Sequence, residues 1–112
     1  MARVRIPEKT RAKNKNLTTS HRERLIRELR ADAKLAVAYL NAAAEDEDPR
    51  ICLVALGTVA EAKGMAKVAK AAGVPRESLY RALSSGGNPR FSTFHAILKA
   101  AGLRLAVARD RR

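Results

Sequence analysis

The sequence predicts an all-α protein, a bundle of about five to six helices that ends in a short β-strand. Aromatic residues make up 4% of the chain and Trp is absent, so the core must consist mostly of Leu, Val, Ile and Ala, which suits packed helices. Apolar residues recur at helical spacing, and residues that start or stop helices stand between these runs. With 112 residues, the chain is long enough for one small domain.

The segment Met1–Asn16 differs from the rest of the chain. It carries six Lys or Arg residues against one Glu, and it has few apolar side chains. A segment of this composition cannot bury enough surface to become ordered on its own. We therefore predict a flexible basic arm over residues 1–16 and a single helical domain over residues 17–112.

Two helices are predicted in the next thirty or so residues. The first begins near Ser20, because Ser20-His21-Arg22-Glu23 has the spacing of a capping box. Its apolar stripe consists of Leu25, Ile26 and Leu29. The second helix runs from about Asp32 to Ala44, and the sequence leaves open whether Arg30-Ala31 separates the two.

A third helix is predicted from about Pro49 to Lys63. Its first half is apolar on nearly every side, which is typical of a helix near the centre of a domain. These apolar residues are Ile51, Leu53, Val54, Leu56 and Val59. Gly57 indicates a close helix crossing, and Gly64 is expected to end the helix in a left-handed cap.

Four consecutive acidic residues, Glu45–Asp48, precede that helix. Asp48 followed by Pro49 is a favourable helix start, with a side-chain cap and a proline in the first turn. Carboxylates there also suit the positive end of a helix. The alternative is an exposed acidic patch that contacts a basic partner protein.

The stretch from Gly64 to Leu83, GMAKVAKAAGVPRESLYRAL, predicts two short helices joined by a tight turn. Met65–Ala72 places small apolar residues on one face, Gly73 supplies the positive φ of the turn, and Pro75 starts the next helix. Two helices joined by a short turn containing Gly form a helix-turn-helix, here at about residues 65–84.

The second of these helices predicts a polar exposed face. At 100° per residue, five side chains lie opposite Leu79 and Leu83 within an arc of about 140°. They are Arg76, Glu77, Tyr80, Arg81 and Ser84. Arg can donate two hydrogen bonds to guanine and Glu can accept from cytosine, so the face could read DNA. Any surface helix also needs polar residues on this side.

After this helix, SSGGNPRF is predicted to form a loop that begins at Gly86 and Gly87. Asn88 and Arg90 in this loop, with Lys67 and Lys70 on the preceding motif helix, could contact DNA phosphates. A last helix is expected over Thr93–Ala101, capped by Ser92. Its inward-facing residues are Phe94, Ile97 and Leu98.

The C-terminal run LRLAVAR alternates with a period of two, which predicts a strand at about residues 103–108. Leu103, Leu105 and Val107 would lie on one side of it. A single short strand needs a partner, either a second copy of the chain or a strand of another protein.

The formal net charge of +12 indicates a polyanionic partner, and nucleic acid fits better than a membrane surface. No apolar run has the length of a membrane span and no secretory signal pattern is present, so we expect a cytoplasmic protein. Cys52 is the only cysteine and is expected to be a core thiol, which excludes an internal disulfide and a Cys-rich metal site.

An enzyme is not expected. His21 and His95 have no carboxylate or Cys at helical spacing, and no Gly-rich phosphate loop is present. No metal or cofactor is predicted.

From Gly57 to Val107, and in the upstream segment AVAYLNAAAEDEDP, the chain resembles the HigA-like addiction-module antidote proteins. This group belongs to the lambda-repressor-like (Xre) helix-turn-helix superfamily. The similarity covers about residues 17–107, and the run RESLYRALSSGGNPRF is its most specific part.

The resemblance implies a lambda-repressor-like fold and a homodimer that binds its own promoter and represses its operon. It also implies binding and neutralisation of a RelE/HigB-like toxin, a ribosome-dependent mRNA endonuclease. By family position, the recognition helix supplies Arg76, Glu77, Ser78, Tyr80 and Arg81. Asn88 and Arg90 match the loop that contacts the DNA backbone.

Three functions therefore compete. The first is a DNA-binding antitoxin that represses its own operon. The second is a stand-alone Xre-type transcriptional regulator without a toxin. The third is an RNA-binding or ribosome-binding protein in which the basic arm dominates and the helices serve only as a scaffold.

Overall fold

The computed structural model describes the backbone of residues 8–111 and the side chains of residues 20–111. All regular secondary structure in this part of the chain is helical, which confirms the predicted helical bundle but not its C-terminal strand. Six helices follow one another in the order α1 (Glu8–Ala31), α2 (Ala33–Ala44), α3 (Pro49–Lys63), α4 (Met65–Ala72), α5 (Arg76–Ala82) and α6 (Phe91–Ala100).

Helix α3 lies at the centre and takes part in two groups of buried side chains. The α1–α3 cluster packs α1, α2 and the C-terminal end of α6 against one side of α3, through Leu29, Ala36, Val59, Ala62 and Ala101. Arg30 Nε also donates to the carbonyl of Ala62 at 2.8 Å, which ties the end of α1 to the end of α3.

The α3–α6 cluster packs the three C-terminal helices against the other side of α3. It contains Leu56, Ala60, Met65, Val68, Ala69, Leu79, Leu83, Ile97 and Leu98. Phe94, Ile97 and Leu98 of α6 all contribute to it, as predicted. Neither α4 nor α5 is long enough to be stable as an isolated helix. The burial of these side chains therefore holds both helices in position.

Aspartates start α2 and α3, and the predicted cap at Asp48 is confirmed. Asp32 accepts from the amides of Lys34 and Leu35, so α1 and α2 are separate helices. Asp48 accepts from the amide of Arg50 at 3.0 Å, with Pro49 in the first turn of α3. The Arg50 guanidinium also donates to both carboxylate oxygens of Asp48. These hydrogen bonds lower the pKa of the Asp48 carboxyl below its ordinary value of 3.8.

We predict that Asp48→Asn lowers the melting temperature at pH 7, because the amide can still cap α3 but loses its ion pair with Arg50. Since the folded-state pKa of Asp48 is lowered, its contribution is fully present above pH 3.8 and disappears as the pH falls through that lower value. Thermal unfolding should show a lower melting temperature for Asp48→Asn than for the wild type at pH 7, and equal melting temperatures near pH 2. The control is Glu47→Gln; an equal difference at both pH values would contradict the assignment.

The predicted start of the first helix is wrong. Helix α1 begins at Glu8, so Ser20 lies inside it and the Ser20–Glu23 capping box does not form. Between residues 8 and 19 the sequence has no Gly or Pro to end a helix, and it contains several Lys, Arg and Ala, which favour one. Residues 8–16 of the predicted arm are thus helical, and the part before Glu8 lies outside the described residues.

The predicted C-terminal strand is also absent from the described chain. Residues 103–111 have no helix, strand, turn or bend. The amide of Leu103 donates to the carbonyl of Leu98, and Leu103 packs against both clusters. Beyond it, residues 8–111 offer no strand with which the C-terminal residues could pair. We call residues 103–111 the tail.

Other boundaries differ by a few residues from the prediction. Gly64 has a positive φ of 103°, but its ψ of 110° lies outside the left-handed helical region, because it joins α3 directly to α4. Helix α6 begins at Phe91, so Ser92 lies in its first turn and no side chain caps it. Ile51 and Val54 are 43% and 45% exposed, so the first half of α3 is less buried than predicted.

Candidate nucleic-acid interface

Helices α4 and α5 are joined by a three-residue turn, and Gly73 makes this turn possible. Its backbone is left-handed, with φ 76° and ψ 29°, as its position predicts. The amide of Val74 donates to the carbonyl of Ala69 at 3.0 Å, which closes the end of α4. Pro75 is extended, and its carbonyl accepts the first helical hydrogen bond from Leu79. The chain thus leaves α4 and enters α5 within a few residues.

Buried residues hold α5 in place from one side only. Leu79 is fully buried and Leu83 nearly so, while Val74 packs at the turn, as predicted. On α3, a Cβ at Gly57 would lie 3.3 Å from the carbonyl oxygen of Leu83, which confirms the predicted close approach. The inward side of α5 is therefore fixed against α3 and α4, and its outward side is left to solvent.

The outward side carries the predicted polar residues. Arg76, Glu77, Tyr80, Arg81 and Ser84 are all exposed. Ser78 is only half-buried. It accepts a hydrogen bond from Arg81 Nη2 at 3.4 Å. Because α5 ends at Ala82, Ser84 lies in the following turn, where its hydroxyl donates to the carbonyl of Arg81.

The guanidinium of Arg76 lies over the ring of Tyr80, with Cζ 5.9 Å from the ring centroid. Such a cation–π contact restricts the orientations of a long side chain. Arg76 is the first residue of α5, and Tyr80 is one turn later on the same face. This arrangement holds a guanidinium at the N-terminal end of the exposed surface.

The loop after α5 packs tightly against the end of that helix. The amide of Gly87 donates to the carbonyl of Ser84 at 2.9 Å. A Cβ on Gly87 would overlap the carbonyl groups of Arg81 and Ala82, so no other residue fits without displacing the backbone. This contact fixes the path of the chain toward Asn88 and Arg90, which are both exposed.

The charge of this region is strongly positive. Between residues 64 and 100 the sequence has six Lys or Arg residues and a single carboxylate, Glu77. Lys67 and Lys70 on α4 are exposed, as are Arg76 and Arg81 on α5. The acidic run Glu45–Asp48 lies in the connection between α2 and α3 instead, where Asp48 caps α3. An anionic ligand would therefore be attracted to the α4–α5 region.

An exposed aromatic pair follows the loop, and the sequence did not predict it. Phe91, the first residue of α6, is 66% exposed and stacks on the ring of His95, with 5.8 Å between centroids. The spacing of four residues on a helix was the available signal. The pair begins directly after Arg90 in the chain and exposes two stacked aromatic rings.

A groove beside Tyr80 was also not predicted. It has a volume of about 380 Å³ and runs between α1, α3 and the end of α5, with Val54, Gly57 and Leu83 in its wall. Arg22 and Glu61 also line it and form an ion pair, with 2.6 Å between Nη2 and Oε1. Cys52 lies on another face of α3 and is half-buried, and this burial raises the pKa of its thiol.

Within the described residues, every helix is too short or too polar to serve as a membrane span.

The comparison with known proteins concerns most of the helical region. Residues 21–109 match the family model described as probable addiction module antidote protein. An uncharacterized protein of Haemophilus influenzae is 41% identical over 73 residues, which is 65% of this chain and 75% of that protein. No solved structure matches. The chain belongs to the family of probable addiction module antidote proteins.

Proposed function

We propose that this antidote protein is a DNA-binding antitoxin that represses its own operon and neutralises a RelE/HigB-like mRNA endonuclease. The observation that carries the DNA-binding part is the geometry of α4, Gly73 and α5. A helix is fixed on its inner side by Leu79 and Leu83 and exposes a polar, positively charged outer side. This geometry supports a helix-turn-helix in which α5 would enter the major groove of DNA.

Base readout is assigned to the exposed side of α5. In helix-turn-helix proteins the N-terminal residues of the recognition helix contact base edges. Here that end carries Arg76, held over Tyr80, and Glu77. Arg81 follows one turn later, beside Ser78, and Ser84 lies in the turn after the helix. Two guanidinium groups suit guanine and one carboxylate suits cytosine.

Phosphate contacts are assigned to the residues that flank this helix. Lys67 and Lys70 are exposed on α4, and Asn88 and Arg90 are exposed on the loop that Gly87 fixes. Such contacts set the position of a protein on DNA without reading its sequence. They also make affinity depend on salt, because each neutralised phosphate releases counterions.

We predict that deleting residues 1–16 reduces the salt dependence of DNA binding. The deleted segment contains six Lys or Arg residues. For every phosphate that is no longer neutralised, the plot of the logarithm of the binding constant against the logarithm of the salt concentration should become less steep by about 0.9. The measurement is a fluorescence anisotropy titration between about 50 and 200 mM salt. The control is the full chain with Arg27→Ala, which removes one exposed charge from α1. An unchanged slope after the deletion would show that this segment does not touch DNA.

Membership in the antidote family implies a toxin partner in general. The HigA-like and Xre assignments, and the RelE/HigB-like type of toxin, rest on the sequence resemblance. We place these activities in the cytoplasm, in a protein that binds its partners and catalyses no reaction. The test has two parts: a fusion of its own promoter to a reporter should be repressed by the chain, and growth arrest by a toxin encoded beside it should be relieved.

Two alternatives lead to other outcomes of the same experiments. A stand-alone regulator would repress the promoter but would have no small RelE-like reading frame beside its gene. An RNA-binding protein is favoured only by the charge of +12, and structured RNA would then displace duplex DNA in competition. The packed and glycine-dependent geometry of α4, α5 and the loop favours duplex DNA over RNA, and membership in the antidote family favours the antitoxin over the stand-alone regulator.

A further inference from the structure

The first half of α3 exposes an apolar surface that the described part of the chain leaves open. Ile51 and Val54 are about as exposed as each other, at 43% and 45%, although α3 is otherwise the central helix. They lie three residues apart, so their side chains are neighbours on one face of the helix. Contiguous exposed apolar side chains are a feature of protein–protein interaction sites. We call these two residues, together with the groove beside Val54, the α3 surface.

The groove adds a recess to this surface. Gly57 lines it and has no side chain to fill it. Thr58 also lines it, but this residue is buried, and its hydroxyl donates to the carbonyl of Val54 at 3.3 Å. The walls are mainly apolar, so an apolar side chain of a partner could enter the groove. Such an inserted side chain typically contributes a large share of the affinity of an interface.

The charge next to the α3 surface is opposite in sign to that of the chain as a whole. Residues 45–61 contain five carboxylates and one Arg, a formal charge of −4 in a chain whose total is +12. Three of the carboxylates pair with guanidinium groups of the chain. These pairs are Glu45–Arg111, Asp48–Arg50 and Glu61–Arg22. Asp46 and Glu47 are exposed immediately before α3.

We propose that the α3 surface is the docking site of a positively charged protein, the toxin. The assignment rests on the antitoxin function proposed above. An enzyme that cleaves mRNA binds a polyanion and therefore needs a positive surface of its own. Electrostatic attraction would draw that surface to the carboxylates of residues 45–61 and away from the positive α4–α5 region. Ile51, Val54 and the groove would then supply the apolar centre of the contact.

Other occupants fit this surface less well. The carboxylates beside it repel the phosphates of DNA or RNA. A second copy of the chain in a two-fold contact would place the same patch on both sides of the interface. Two segments of charge −4 would then face each other, which is unfavourable. The charge therefore selects a basic partner that differs from this chain.

Val54→Lys tests the apolar contact, and Val37→Lys is the matched control. Val37 lies on α2, outside the α3 surface, and is 44% exposed, so both variants place the same new charge at equally exposed valines. Each chain is titrated by calorimetry with the purified product of the RelE-like reading frame beside its gene. Val54→Lys should weaken toxin binding about thirtyfold or more, because the lysine removes an apolar contact and repels a basic partner. Val37→Lys should stay within about threefold of the wild type, since one distant charge acts weakly.

A charge reversal tests the electrostatic part of the proposal. Glu47→Lys should weaken toxin binding about tenfold at low salt and clearly less at about 200 mM salt, because salt screens exposed charges. The control is Glu28→Lys, which makes the same change of charge at an exposed position on α1. Equal effects of the two variants would show that only the total charge of the chain matters, and would contradict docking beside residues 45–61.

Operator binding and circular dichroism of the same samples separate the surface from the fold and from the function. Ile51→Lys, one turn before Val54, should repeat the loss of toxin binding while operator binding stays unchanged. If both lysine variants bind the toxin like the wild type, or lose operator binding to the same degree, the docking site is refuted and the antitoxin function stands. A Val54→Lys chain with unchanged toxin affinity but a smaller mass in sedimentation would assign the surface to a second copy. A wild-type chain that ignores the toxin would refute the antitoxin function, and the docking site with it.

Discussion

Replacing Gly87 by alanine is expected to lower the free energy of unfolding by about 2–4 kcal/mol. A Cβ at this position would lie 2.6 Å from the carbonyl oxygen of Arg81 and closer still to that of Ala82. Both atoms belong to the backbone at the end of α5, so no flexible side chain can move aside. The loop or the helix end must shift, and either movement displaces Asn88 and Arg90.

Gly86→Ala is the matched control, because a Cβ at Gly86 would meet no atom within 4 Å. We expect its unfolding free energy to stay within about 0.5 kcal/mol of wild type. Urea unfolding followed by circular dichroism measures both variants. A Gly87→Ala chain as stable as Gly86→Ala would mean that the loop does not pack against α5 as described.

Removing both guanidinium groups from the outer side of α5 is expected to have the largest effect on DNA binding. Arg76→Ala and Arg81→Ala should each cost about 1–3 kcal/mol on the operator, so the double variant should lose about 2–6 kcal/mol. The Arg76 guanidinium stacks on Tyr80 and that of Arg81 donates to Ser78, both within α5, so the fold should survive their removal. Competition titrations against operator and scrambled duplexes measure the effect.

The control for charge alone is Arg27→Ala, which removes one exposed guanidinium from α1. We expect it to weaken binding to both duplexes slightly and equally, since it would lose only long-range attraction. The α5 variants should instead lose the preference for the operator. If they weaken both duplexes by the same factor, α5 contributes charge and does not read bases.

Local signals in the sequence were sufficient wherever a helix end is set by one or two residues. Asp48 with Pro49 starts α3, and Gly73 ends α4, as predicted. The apolar spacing identified the buried side of each later helix, including Leu79 and Ile97. For the same reason, the polar outer side of α5 could be read from the sequence alone.

Features that depend on residues far away in the sequence, or on a missing partner strand, could not be predicted from local patterns. The residues from Ser20 onward have the spacing of a capping box, but α1 already begins at Glu8. Ser20 therefore lies inside the helix and cannot cap it. The alternating tail has strand character, but the described residues contain no strand with which it could pair. The tight contact of Gly87 with the end of α5 and the stacking of Phe91 on His95 depend on the path of the loop, which spacing does not specify.

The central claim is that α5 reads a specific DNA sequence, and one measurement tests it most directly. The full-length chain is titrated with a labelled duplex from its own upstream region near physiological salt, with scrambled duplex as competitor. We predict tight binding that scrambled DNA does not displace and that the Arg76→Ala/Arg81→Ala chain loses. Weak binding, equal on both duplexes and abolished by salt, would contradict the claim and leave the charge of +12 as the sole cause of attraction.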